Sequence, residues 1–174
     1  MVIFSQQDMV KKIYFPREVL PISFTVSQFV NMLLSFIVIF VVMIVSGTSI
    51  NALALLYLPL IMLIEFVMCL GITYFTAALN VYFRDLAYIM GIISMAWMYL
   101  TPVIYPVERV PEEYLGLFYL NPMTPITVAY RDILYYGQVP EMRTLWYAIV
   151  MGVAILVIGQ ITFSKLQRHF VEEL

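Results

Sequence analysis

Glu65 is the residue whose type and place most demand a chemical explanation, because it is a carboxylate set inside an apolar run from Leu53 to Leu79. On insertion scales an acid at membrane depth costs roughly 2.5–3.5 kcal/mol, so it faces a bundle interior or water rather than lipid. At about 100° per residue, Glu65, Cys69, Thr73, Thr76 and Asn80 fall within an arc of about 80° on one helix face. Ser23, Ser27, Asn31 and Ser35 form a looser counterpart in the preceding apolar run. Two uses of these stripes stand open. They can join helices through hydrogen bonds, a structural role, or line a wet path for a polar substrate.

Other chemistries find little support. None of the seven glycines is followed by Lys-Ser or Lys-Thr, so a phosphate-cradling loop is missing and the chain is read as no ATPase and no enzyme. One histidine, His169, and one cysteine, Cys69, make no metal-ligand set and no internal disulfide. His169 lies beside Lys165 and Arg168, a composition suited to anionic headgroups. A net charge of −2 argues against nucleic acid as a partner.

The elements that must position these residues are membrane helices. The chain is 63% hydrophobic and 11% charged, whereas a soluble domain carries about a quarter charged residues. A bilayer crossing takes about 20 apolar residues, and the runs here are continuous rather than alternating, which disfavours barrel strands. The charge-free stretch from Val19 to Ile64 is split by the turn residues Ser46 to Asn51. Four spans are predicted, at about 22–45, 53–79, 86–104 and 144–164, in a single all-α integral membrane domain over 1–174. Lys11, Lys12, Arg17, Arg84, Lys165 and Arg168 then share one side, assigned to the cytoplasm. Small residues Ala148, Gly152 and Gly159 share a face of the last span and suit close helix packing.

Between the third and fourth spans, residues 105–143 form the long external connection. It holds six tyrosines and phenylalanines from Tyr114 to Tyr136, with Asn121-Pro122 and Thr124-Pro125 between them. Its apolar pieces are too short to cross, and proline starts helices well but breaks them inside. Two short helices in the outer interface are therefore predicted, either as an aromatic belt or as a lid over a pathway. Trp97, Tyr99 and Tyr105 could offer stacking faces to sugar rings or simply anchor the interface. At the other end, Ser5-Gln6-Gln7-Asp8 resembles a capping box that starts a short polar helix to about Ile13. Phe15-Pro16 closes that helix, so it can act as a lever on the first span or as an amphipathic anchor.

Three stretches carry a family resemblance: Lys-Lys-Ile-Tyr-Phe-Pro-Arg-Glu-Val-Leu-Pro at 11–21, Asn-Val-Tyr-Phe-Arg-Asp at 80–85, and Asn-Pro-Met-Thr-Pro through Tyr-Arg-Asp-Ile-Leu at 121–134. In this order they resemble the polysaccharide and polyol-phosphate export permeases, a branch of the type-2 ATP-binding-cassette (ABC) transporters. The resemblance covers essentially the whole chain.

It implies a homodimeric permease of the bacterial cytoplasmic membrane that moves lipid-linked polysaccharide or teichoic-acid chains. ATP and magnesium would sit on a separate ABC ATPase subunit, with no cofactor on this chain. Residues 1–18 would be the cytoplasmic coupling segment, with Gln7, Asp8, Lys11, Lys12, Tyr14, Phe15, Pro16, Arg17 and Glu18 at the ATPase contact. Asn80, Tyr82, Arg84 and Asp85 would form a cytoplasmic loop. Residues 105–143 would hold the external gate helices, with Glu65, Trp97, Tyr99, Tyr105, Asn121, Pro122, Tyr130, Arg131 and Asp132 along the channel and gate. The family also has an amphipathic helix and two spans ahead of the coupling region, which this sequence is expected to lack. Two alternatives remain: a small-molecule or lipid exporter of the same superfamily, and a membrane transferase acting on lipid-linked substrates. The transferase would need a paired acid–base set, and Arg84-Asp85 and Asp132 stand apart.

Overall fold

The computed structural model describes residues 18–47, 51–83 and 85–167, and every regular element among them is helical. The chain is an all-α membrane protein. The helices among the described residues are α1 Val19–Val45, α2 Ala52–Leu55, α3 Leu58–Tyr82, α4 Leu86–Leu100, α5 Glu112–Leu120, α6 Met123–Leu134 and α7 Met142–Leu166, with a 3-10 turn at Val107–Arg109. Among the described residues three stretches are long and apolar enough to cross a bilayer: Val19–Val45, Ala52–Tyr82 and Met142–Leu166.

The differences from the predicted bounds have local causes. Pro21 lies in the first turn of α1, where a missing N–H costs nothing, so the helix starts at Val19 rather than at residue 22. Pro59 cannot donate to the Leu55 carbonyl, and the predicted second span opens as a separate turn, α2, before α3 begins at Leu58. No glycine or proline follows Asn80, and Phe83 N–H still donates to the Leu79 carbonyl at 2.9 Å. Asn80 and Tyr82 therefore stand in the last turn of α3 rather than in the loop expected for them. Asp85 remains in that short connection, and Arg84 lies outside the described residues.

The predicted third span is helical only over its first 15 residues. Pro102 pushes Thr101 out of the helical region and ends α4 at Leu100. At 1.5 Å per residue α4 is about 22 Å long, short of the ~30 Å hydrocarbon core. Residues 105–143, predicted to be an external connection, hold α5 and α6, of 9 and 12 residues, each started by proline at or beside its first turn.

The described residues form two compact units. The first comprises 18–47, 66–83, 85–87 and 155–167, and its core gathers Leu20, Tyr74, Ala78, Val81 and Phe163. Tyr74 and Phe163 stack with ring centroids 5.3 Å apart, and Phe29 meets Phe66 edge-on at 5.1 Å. Gly71 and Gly159 let α3 and α7 touch backbone to backbone. A Cβ on Gly159 would strike the Gly71 carbonyl, and one on Gly71 would strike the backbone of Leu156. Among lipid tails helix pairs are held by packing rather than by water exclusion, so small residues at a crossing are what permit this contact. Tyr82 ties the same two helices by donating to the Leu166 carbonyl at 3.1 Å.

Much of α1 lies open. Only 11% of its most apolar window is buried, and Leu34, Val38 and Ile44 are exposed, an apolar surface matched to hydrocarbon. The second unit comprises 51–65 and 88–154 and holds α2, the start of α3, α4, α5, α6 and the first half of α7. Ile61, Ile126, Ala129, Ile133 and Ala148 are among its buried residues. All the predicted channel and gate residues belong to it.

Candidate functional site

The site is best built outward from α6, the amphipathic 12-residue helix that begins after Asn121-Pro122. Thr124, Pro125, Ile126, Ala129 and Ile133 bury one face of it. Polar groups on this helix and at its two ends are tied to other elements of the same unit at four places.

Asn121 is the first tie. Its Oδ1 accepts from Met123 N–H at 3.0 Å, capping α6, and from the Trp97 indole N–H at 3.0 Å. Its Nδ2 donates to the Thr101 hydroxyl at 2.8 Å and to the Leu100 carbonyl at 3.3 Å. One side chain thus caps the start of α6 while engaging the otherwise open C-terminal end of α4. Pro122 follows it in helical conformation, where a pre-set φ helps the first turn. Trp97, Leu100, Phe118 and Pro122 line an apolar groove of about 350 Å³ beside this joint.

Glu65 and Tyr130 are the second. The phenol donates to the Glu65 carboxylate at 2.6 Å, linking α6 to α3. Arg131 is the third: its guanidinium donates to the carbonyls of Pro102 at 2.8 Å and Val103 at 3.2 Å, on the turn after α4. Tyr130 and Arg131 are sequence neighbours, about 100° apart on the helix, and so reach two different elements. The fourth tie follows the helix, where Asn51 donates to the Gly137 carbonyl at 2.9 Å and caps α2 through Leu53 N–H. Gly137 sits at φ +61°, a conformation that favours glycine and turns the chain after α6.

The remaining predicted residues take varied places. Tyr105 donates to the Tyr99 carbonyl at 2.8 Å and meets Phe118 edge-on, while the Tyr99 ring is exposed. Asp132 lines an open depression of about 560 Å³ with Arg109, Tyr136 and Gln138. Glu18 precedes α1 without capping it through its side chain. Gln7, Asp8, Lys11, Lys12, Tyr14, Phe15, Pro16 and Arg17 lie outside the described residues, as does the expected helix up to Ile13.

On the stripes, Thr73 and Thr76 donate to carbonyls of their own helix, and so do Ser23, Ser27 and Ser35. These hydroxyls satisfy themselves locally rather than bridging helices. Glu65 differs, since its partner comes from another element.

Sequence reasoning did not find Asn51, Thr101 or Gly71. A glycine isolated in an apolar helix is itself a signal, because it costs about 1 kcal/mol against alanine unless packing requires it. For Asn51 and Thr101 the partners are too far along the chain for local spacing to show.

The Glu65–Tyr130 pair gives a first prediction. A double-mutant cycle of Glu65→Leu and Tyr130→Phe, read by detergent-titrated unfolding, is expected to show coupling of roughly 0.6–1.7 kcal/mol, as for polar pairs between membrane helices. Glu65→Gln keeps an acceptor and should lose less than Glu65→Leu. Additive losses would mean that the two side chains do not act together.

Comparison with known proteins places the chain in a family. Residues 2–135 match the ABC-2 type transporter family. The chain is 30% identical, over 99% of its length, to the O-antigen export system permease protein RfbA of Myxococcus xanthus. Two such permeases of Klebsiella pneumoniae are 28% and 27% identical over 94% of the chain. The chain spans 66% of the length of the Myxococcus protein and 62% of each Klebsiella one.

Proposed function

The chain belongs to the ABC-2 type transporter family, and from that premise we propose that it forms the permease part of an exporter of lipid-linked polysaccharide. It is a multi-pass protein of the bacterial inner membrane. The observation that carries the substrate class is the similarity to O-antigen export permeases along 94–99% of the chain. ATP hydrolysis falls to a separate ABC subunit, and two permease copies face each other around the path of the polymer.

The geometry suits this task in one respect above others. Helix α6 is fastened by side chains that meet carbonyls, an indole and a carboxylate, not by a large apolar contact alone. Such ties are directional and can be exchanged for bonds to water or to sugar hydroxyls with little net change in energy. A short helix held in this way opens for a polar polymer and recloses behind it. The apolar groove at Trp97 and Phe118 offers aromatic faces at the same joint.

Disruption of the gene in its host tests the reading. Surface polysaccharide should disappear while lipid-linked polymer accumulates inside the cell. Unchanged surface polymer with lost drug or lipid efflux would favour the small-molecule exporter instead.

Coupling to the ATPase is placed on Gln7 to Glu18. In the complete permease, Tyr14→Ala with Phe15→Ala should leave membrane levels normal but reduce ATPase co-purification about tenfold or more and stop export. Neutralising Lys11 and Lys12 should do less, since such charges contribute roughly 1 kcal/mol each at an anionic surface. Wild-type pull-down by the Tyr14/Phe15 variant would assign the segment to the lipid surface.

A further inference from the structure

A second cavity, apart from the ties on α6, lies between α5 and the start of α7. It measures about 380 Å³ and is lined by Gly116 and Tyr119 from α5 and by Glu141, Arg143, Thr144 and Tyr147 around the first turn of α7. That volume falls within the roughly 300–1,000 Å³ of small-ligand sites.

Four features point to a ligand. Thr144 is 6% exposed and lines the cavity. Its hydroxyl can both donate and accept a hydrogen bond there. Arg143 and Glu141 stand exposed at the cavity edge, one rich in donors and the other in acceptors. Tyr119 and Tyr147 bring flat, amphipathic rings to the same space. Gly116 is the fourth feature: a Cβ there would meet nothing within 4 Å, so its missing side chain leaves the α5 wall open.

We propose that this cavity is a saccharide-binding site on the external side, holding one or two sugar units of the exported polymer. Ring faces pack against the tyrosines, and paired hydroxyls bridge Arg143, Glu141 and Thr144. Paired donors and acceptors of both charges match vicinal hydroxyls, which both give and accept hydrogen bonds. A phosphodiester, which carries negative charge and only accepts, leaves Glu141 opposed. The proposal rests on the export reading, and it adds a point where the emerging chain is held after passing α6.

The test uses the purified full chain in phosphatidylcholine nanodiscs, with surface polysaccharide of the host freed from lipid by mild acid. Gly116→Leu sets its Cβ where nothing lies within 4 Å, replaces a poor helix former with a good one, and is expected to fold with its side chain in the cavity. Calorimetric titration should show wild-type binding weakened at least about tenfold by Gly116→Leu and by Arg143→Ala. Gly91→Leu, at a helix glycine likewise open within 4 Å, should bind as wild type. Equal binding by wild type and Gly116→Leu overturns the site. So does native mass spectrometry of protein from host membranes that finds a phospholipid held by wild type, lost in Gly116→Leu, and not displaced by the saccharide. The gene disruption separates the two readings: intact surface polysaccharide defeats the export reading, whereas lost polysaccharide with unaltered Gly116→Leu binding defeats this site alone.

Discussion

Gly159→Leu is expected to abolish the folded protein, and Gly159→Ala to destabilise it by about 1–3 kcal/mol, the usual cost of overpacking. The obstacle at this position is backbone. Any Cβ on Gly159 meets the carbonyl of Gly71, and a carbonyl in mid-helix cannot rotate aside as a side chain can. Relief requires α3 and α7 to separate, which loosens the Tyr74–Phe163 contact and the Tyr82 hydrogen bond to Leu166. Gly71→Ala should behave alike, because its Cβ meets the backbone of Leu156 and Ile155. Gly91→Ala and Gly116→Ala serve as controls, since both positions are open and both should be neutral or stabilising by about 0.5–1 kcal/mol. Detergent-titrated unfolding of the purified variants measures all five. A Gly159→Leu variant that unfolds at the wild-type midpoint would show that the helices do not approach as described.

Asn121→Ala carries the second large effect. It removes the acceptor for Met123 N–H and the Trp97 indole, and the donor to Thr101 and Leu100. Loss of a helix cap costs about 0.5–2 kcal/mol, and each further bond about 0.5–1.5 kcal/mol net. Because the four bonds share one side chain they are not additive, and a total near 2–4 kcal/mol is expected. Hydrogen exchange in nanodiscs should quicken both at the end of α4 and in the first turn of α6. Asn121→Asp separates the two functions. A carboxylate still caps Met123 and accepts from Trp97, but it cannot donate to Thr101 or Leu100. Exchange should then quicken at the end of α4 and stay slow at the start of α6. In cells, export of polysaccharide by Asn121→Ala should fall at least about tenfold if α6 moves as proposed. Unchanged exchange in Asn121→Ala would remove the joint from the account.

Both effects bear on what could be read in advance. Asn121-Pro122 was legible as a helix start because capping and proline placement act within a few residues of each other. Its link to Trp97 was not, since that bond joins positions 24 apart through a turn at Thr101-Pro102. Gly159 stood out as a small residue on one face of an apolar helix, yet its counterpart Gly71 sits in another run with nothing local to match them. Glu65 was marked as costly in an apolar span. The choice between a wet path and a partner needed Tyr130, 65 residues away.

The helices and the family resemblance were legible along the chain, because apolar runs, prolines and turn residues act over a few residues and a bilayer rewards length. The sequence also determined that α5 and α6 are too short to cross. The tertiary structure alone decided which groups meet: Glu65 with Tyr130, Asn51 with Gly137 across 86 positions, Tyr82 with Leu166 across 84, and Gly71 with Gly159. Apolar attraction has no direction and fixes no pairing, whereas a hydrogen bond needs its atoms within about 3 Å and in line, a condition that only the folded chain meets.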